Sequence, residues 1–258
     1  RRTLANFSNT GCGKTGSAHC ATHTIDAHVI MAICPNDIKG AWIRGIRLHF
    51  GSDAVVHERF NGRCVAGKRN FYVLNYEKFQ QDNSQQKISS FFEKNNIDFL
   101  IADEVHCGKH RKATQEEKIR RKNLMYLRSR AEKKNLNVCV LGMTATPVIN
   151  NLQEGKSLLQ LVTGKKYNDL RTRVSVQNCM ELRKHFVLNS LRYSQNLEGY
   201  EIIEEEVDAS AALSQIHQCF DDVVRVDSVL LDYKIPIIVK HLKRSNLLDL
   251  VFVNILAM

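Results

Sequence analysis

The chain has 258 residues, enough for one large α/β core or for one core and part of another. Its 43% hydrophobic and 25% charged residues are ordinary for a soluble globular protein, and no run nears the roughly 18 consecutive apolar residues of a membrane span. A formal charge of +10 favours polyanionic partners, while eight cysteines spread singly, without a C-x-x-C pair, argue against a disulfide framework or a structural zinc site.

Reduced, mostly buried thiols are the expectation, and with them an intracellular location, cytoplasmic or nuclear. The first residues run straight into a glycine loop, which leaves no room for a signal peptide; the missing initiator Met fits a start inside a longer protein.

A short apolar run, Leu4–Phe7, opens the chain as a strand. Ser8-Asn9-Thr10-Gly11-Cys12-Gly13-Lys14-Thr15 follows, and then a small-residue helix beginning Gly16-Ser17-Ala18. Strand, glycine loop and helix in this order suit a phosphate group. Gly11 and Gly13 let backbone N–H groups face the phosphates, and the helix N-terminus adds partial positive charge. Thr10, Gly11, Cys12, Gly13, Lys14, Thr15 and Gly16 are the expected cradle, with Lys14 on the β- and γ-phosphates and the Thr15 hydroxyl on Mg2+. Ser8 stands where the general phosphate-loop pattern has Gly.

Val29–Cys34 reads as a second strand, stopped by Pro35, and Trp42 follows on a helix. Beside Ile43 and Ile46, Trp42 reads as core, with stacking on a base as the alternative. His19, His23 and His28 lack metal-ligand spacing and read as scattered surface or helix residues. Phe71–Leu74 is the next strand. Phe99–Ala102 then carries Asp103 and Glu104 to a strand end, with His106 two residues on. Asp103 is expected to hold Mg2+ through its water shell, Glu104 to orient and deprotonate the attacking water, and His106 to sense the nucleotide.

Residues 109–134 are strongly basic, including Lys109, Arg111 and Lys112. Two readings stand: a phosphate-contacting helix, or a solvated amphipathic helix with Leu124 and Leu127 on its buried face. Val138–Gly142 is the fifth strand and leads into Thr144-Ala145-Thr146-Pro147. Beyond it the pattern is helical over Asn151–Val162, then irregular and polar to about Asp208. The acidic stretch Glu198 to Glu206 reads as a solvated face or linker. Pro236 is expected to open a late helix, followed by a strand over Leu248–Leu256. Strands alternating with helices predict an α/β fold, a doubly wound parallel sheet with helices on both faces and ligands beyond the carboxyl ends of its strands.

The motifs resemble those of superfamily 2 helicases, and within them the Swi/Snf-type translocases of double-stranded DNA. Thr10–Thr15 resembles motif I, Asp103-Glu104-Val105-His106 motif II, and Leu141–Pro147 motif III. Val148–Glu154 is similar to the P-x-x-N-N-L-x-E continuation of the Swi/Snf group. Ile33–Trp42 resembles motif Ia, Val73–Glu77 its strand-end Tyr-Glu, and His185–Leu188 a Phe-x-Leu-Arg segment.

The resemblance implies a RecA-like (P-loop NTPase) fold and a nucleic-acid-dependent ATPase using ATP and Mg2+, with duplex DNA favoured over RNA. It implies an ATP-binding lobe over 1–170, a helical extension over 171–233 and the start of a second RecA-like lobe at 234–258. Thr144 and Thr146, with His106, would couple γ-phosphate status to a nucleic-acid surface near Pro35. The second lobe would supply an arginine typically worth about 10³–10⁵ in rate, so this chain alone is expected to bind nucleotide and hydrolyse it poorly. The competing readings are a non-motor P-loop NTPase or kinase, and a non-catalytic nucleic-acid-binding fragment.

Overall fold

The computed structural model describes residues 2–108, 115–148, 151–194, 208, 210–218 and 223–244. Two compact units are formed, residues 1–196 and 197–258. The first holds a seven-stranded sheet, all of its pairings parallel, in the order β3-β4-β2-β5-β6-β1-β7. The strands are β1 (Thr3–Asn6), β2 (Val29–Cys34), β3 (Ala54–His57), β4 (Arg69–Asn75), β5 (Phe99–Asp103), β6 (Cys139–Met143) and β7 (Ser190–Leu191).

Burial on two faces explains the strand sequences. In β2, Ile30, Ala32 and Cys34 enter one apolar layer and Met31 and Ile33 the other; in β4, Phe71 and Val73 oppose Tyr72 and Leu74. Side chains alternate along a strand, so a strand covered on both sides must be apolar throughout. Helices α1 (Lys14–Thr24) and α2 (Lys39–Phe50) cover one face through Ala18, Trp42, Ile46 and Phe50. Helices α3 (Ser84–Lys94), α4 (Gln115–Lys134) and α5 (Leu152–Thr163) cover the other through Ile88, Phe92, Leu124, Leu127, Leu158 and Leu161. The doubly wound parallel sheet expected from the sequence is therefore the observed fold.

Strand order decides which loops meet. From β1 the chain crosses to β2, and β5 and β6 later fill the interval between them. Asn6 of β1 lies opposite Met143 of β6, which lies opposite Asp103 of β5. Three neighbouring strands thus end level, and the loops after them share one sheet edge.

Several expectations need correction. The polar stretch after Val162 is not irregular throughout: α6 (Val176–Asn189) forms there, capped by the Ser175 side chain accepting from the Asn178 N–H. Pro236 does not open a helix but lies inside α8 (Val223–Arg244), which in the second unit follows the short α7 (Leu213–Gln218). The expected strand at 248–256 and the whole acidic patch at 198–206 lie outside the described residues. The thiols are less buried than expected: Cys34 is buried, but Cys20, Cys64 and Cys179 are exposed. Among the described residues no helix is long and apolar enough to cross a membrane.

Candidate nucleotide site

The glycine loop links β1 to α1. Gly11 and Gly13 adopt φ of 77° and 71°, which a side chain would strain, and among the described residues nothing stands within 4 Å of where a Cβ would be on Gly11, Gly13 or Gly16. The loop is therefore open on the side where an anion would approach. Gly13 is the N-cap of α1, and no side chain caps the helix, so its first-turn N–H groups are not engaged by a capping side chain. The Lys14 ammonium lies back across the loop, donating to the carbonyls of Ser8 and Asn9 at 3.1 Å each.

Ser8, the departure from the phosphate-loop pattern, has a structural role. It is buried, and its hydroxyl accepts from the Tyr193 N–H at 3.0 Å. The Asn9 N–H donates to the Tyr193 carbonyl and the Phe7 N–H to that of Leu191. The segment through β7 thereby pins the front of the loop. Asn6, buried just before it, accepts from the Ser8 N–H at 3.1 Å through its side chain and from the Thr144 N–H at 3.1 Å through its carbonyl. Neither Asn6 nor the β7 segment was signalled by the sequence as part of the site.

Asp103 ends β5 and is buried. Its Oδ2 accepts from the Trp42 indole N–H at 2.8 Å and its Oδ1 from the Glu104 N–H at 3.0 Å. The Tyr76 hydroxyl, in a turn after β4, donates to the Asp103 carbonyl at 2.8 Å. Burial raises the Asp103 pKa above the usual carboxylate value, against the Trp42 and backbone hydrogen bonds that lower it. Trp42 is indeed core, 1% exposed, as read from its apolar neighbours.

Glu104 carries φ of 46°, a left-handed conformation that turns the chain out of the strand and into the 3-10 turn Val105–Gly108. Its Oε2 accepts from the Thr144 hydroxyl at 3.1 Å and lies 3.1 Å from His106 Nδ1, which is also 2.9 Å from Thr144 Oγ1. The His106 pKa rises to about 9 through hydrogen bonds to Cys107 and Glu104. That of Glu104 falls, chiefly through the His106 hydrogen bond. The His106 ring therefore faces the Glu104 carboxylate, and Thr144 joins both. The Thr146 N–H closes the group onto Thr144 Oγ1 at 3.1 Å, although the Thr146 side chain is exposed. The Lys14 charge pulls the same way on both carboxylates, opposing the rise at Asp103 and adding to the fall at Glu104.

The structure thus brings Lys14, Asp103, Glu104, His106, Thr144 and Thr146 to one edge, with Thr15 on the first turn of α1. Pro35 follows β2, half-exposed, at the same edge. Lys109, Arg111 and Lys112 lie outside the described residues. In the rest of the basic segment three arginines serve the fold. Arg120 donates to the Cys107 carbonyl at 3.0 Å, and Arg121 to the Ser157 carbonyl and Gln160 Oε1 at 3.0 Å each. Buried Arg128 donates to the Leu161 carbonyl at 2.8 Å, to the Val162 carbonyl, and to Glu132 Oε1 at 2.8 Å. Arg128 thus caps the last turn of α5, Arg121 ties α4 to its middle and Arg120 holds the turn after Glu104, so α4 is anchored by part of the charge that suggested a phosphate-binding face. His19 lies on a helix, α1, but not at the surface: it is 2% exposed, packed edge-on against Trp42.

A parallel sheet with a glycine loop, paired carboxylates and a Thr-rich turn along one edge defines the RecA-like lobe of a superfamily 2 helicase-like ATPase. The type III restriction enzyme, res subunit, family matches residues 3–149, more than half of the chain, and the chain belongs to that family.

Comparison with solved structures gives the Sulfolobus solfataricus SWI2/SNF2 ATPase core in complex with dsDNA, at TM-score 0.54 and 14% identity over 90% of this chain and 53% of that one. The Pyrococcus furiosus Hef helicase domain aligns at TM-score 0.47 and 13% identity, over 84% of this chain and 42% of that one. This chain spans about half the length of the Sulfolobus protein. A comparison with curated protein sequences finds no match.

Proposed function

We propose that the chain is the ATP-binding lobe of a nucleic-acid-dependent motor that couples hydrolysis of Mg2+-ATP to movement on duplex DNA. One observation carries the reading: the open glycine loop, Asp103–Glu104 and Thr144 converge from three adjacent strand ends, and the Lys14 charge is felt at both carboxylates. Hydrolysis of a nucleoside triphosphate needs a phosphate cradle, a cation site and a base together, and few other reactions need all three.

In this reading the N–H groups from Thr10 through Gly16, Cys12 included, receive the phosphates, and Lys14 exchanges two neutral carbonyls for phosphate oxygens. The Thr15 hydroxyl and the Asp103 carboxylate hold Mg2+, which when bound screens the charge of the transferring phosphate. Glu104, kept anionic by His106, accepts a proton from the attacking water. Removing that base is worth about 10²–10⁴ in rate. His106, Thr144 and Thr146 form a switch: the contacts of His106 and Thr144 with Glu104 redistribute when a γ-phosphate arrives, and the Thr146 N–H on Thr144 links the base to the loop before Pro147.

The duplex partner is supported by the +10 charge and by the dsDNA bound to the Sulfolobus relative in fold. Pro35, Lys109, Arg111 and Lys112 are the proposed contacts. The lobe boundaries 1–170, 171–233 and 234–258 belong to the same proposal, the last as the start of a second RecA-like lobe whose remainder contributes the catalytic arginine. An intracellular setting suits the unpaired thiols.

ATP turnover by the chain, with and without duplex DNA, single-stranded DNA and RNA, tests the reading. Stimulation by duplex DNA, lost in Lys14→Ala, is the expected outcome if the lobe suffices for turnover; nucleotide binding without turnover is expected if it requires its partner lobe. Neither binding nor turnover would contradict the proposal and favour a non-catalytic nucleic-acid-binding fragment.

A further inference from the structure

Trp42 is the only tryptophan in the chain, and burial of its ring against the sheet would by itself explain its place. Burial does not explain where its one polar atom points. The indole N–H meets Oδ2 of Asp103 at 2.8 Å, across 61 positions of sequence. The other carboxylate oxygen accepts from the Glu104 N–H, and the Tyr76 hydroxyl holds the carbonyl of the same residue. Asp103 is thus fixed at three atoms by donors from three segments of chain. The indole is itself fixed: the His19 ring meets it edge-on, with centroids 5.3 Å apart and planes at 89°. Gly45, one turn further along α2, leaves the room His19 requires, since a Cβ there would stand 2.7 Å from His19 Cε1.

We propose that Trp42 is a positioning residue for the cation-binding carboxylate, setting the plane in which Asp103 presents its free lone pairs. The inference rests on the reading of Asp103 as part of the Mg2+ site. The choice of an indole follows from the chemistry. A carboxylate oxygen that is buried needs a donor, and a lysine or arginine at this place would supply one while competing with the cation for the charge. The indole N–H is a neutral donor with no acceptor capacity, so it occupies one lone pair, leaves the negative charge in place and cannot itself bind metal. Outer-shell partners of this kind commonly change metal affinity by roughly 10–100-fold when removed. Trp42 also makes the site optically self-reporting: a cation arriving at Asp103 changes the field at the chain's single indole.

The test measures affinity for a non-hydrolysable ATP analogue by calorimetry, in Mg2+ and in EDTA, for the unaltered chain and for Trp42→Phe. The gain in affinity conferred by Mg2+ should shrink about ten-fold or more in Trp42→Phe, with the EDTA affinity, set by the glycine loop and Lys14, unchanged. A gain of undiminished size overturns the proposal, as does an equal fall in both affinities, which is what a purely packing role would give. Should Trp42→Phe not fold, the emission of the unaltered chain decides. A saturable Mg2+-dependent change with analogue bound, lost in Asp103→Asn, is expected; no change, or the same change in Asp103→Asn, overturns it. An unaltered chain that binds no analogue in either buffer overturns the nucleotide reading itself, and this proposal with it.

Discussion

His19 offers a quantitative test of the layer that backs the site. It lies on α1 among Trp42, His49 and Phe50, is 2% exposed, and neither of its ring nitrogens has a hydrogen-bond partner among the described residues. Burial, and secondarily the neighbouring His49, push its pKa from the ordinary 6.5 down to about 4. The unfolded chain therefore binds a proton that the folded chain refuses between those values. The contribution of a neutral His19 to stability is fully present above pH 6.5 and is lost as the pH falls toward 4. At about 1.4 kcal/mol per pKa unit, the loss at pH 5 is about 2 kcal/mol. His19→Leu conserves volume and removes both the titration and the unpaired ring nitrogens. Its urea-denaturation free energy should match or exceed that of the unaltered chain at pH 7.5, with an advantage about 2 kcal/mol larger at pH 5. An advantage that does not change between the two pH values would refute the argument.

Further outcomes are expected from the same structure. Glu104→Gln should bind nucleotide within a few-fold of the unaltered chain while any turnover falls by about 10²-fold or more, measured by phosphate release; undiminished turnover would remove Glu104 as the base. Gly142→Ala would set a Cβ 2.5 Å from Val162 Cγ2 and 3.5 Å from Val105, between β6 and α5. It should cost about 1–3 kcal/mol in urea denaturation. The Cys34 thiol, buried and pushed up to about 12, should resist a thiol reagent until the chain unfolds, while exposed Cys20 and Cys64 react at once; equal rates would place Cys34 at the surface.

The legible parts of this chain were those where chemistry and pattern coincide locally. The glycine loop, the carboxylates after Phe99–Ala102 and the Thr-rich turn each follow an apolar run, so both the strand and its cargo could be read together. Edge strands were not legible. Ala54–His57 is only half-buried and Ser190–Leu191 is two residues long, so neither leaves an apolar signature. The partners that shape the site were hidden for a different reason. Trp42 and Asp103, Ser8 and Tyr193, and Asn6 and Thr144 meet only through the sheet order, across 61 to 185 positions of sequence for the two pairs joined through side chains. The burial of His19 on its helix was hidden because α1 shows no clear apolar stripe, its buried residues being Ala18, His19 and Thr22. Charge misled in α4: Arg121 and Arg128 look solvated in a basic run, yet Arg121 ties α4 to the Ser157 carbonyl and Gln160 of α5, and Arg128 satisfies the Leu161 carbonyl in its last turn.

The central claim is that the edge formed by β5, β6 and β1 holds a nucleotide. Calorimetric titration of Mg2+-ATP into the chain and into Lys14→Ala tests it most directly. One-to-one binding by the unaltered chain, weakened at least ten-fold by loss of the ammonium, is the expected result. Equal binding by both, or binding by neither, would contradict it.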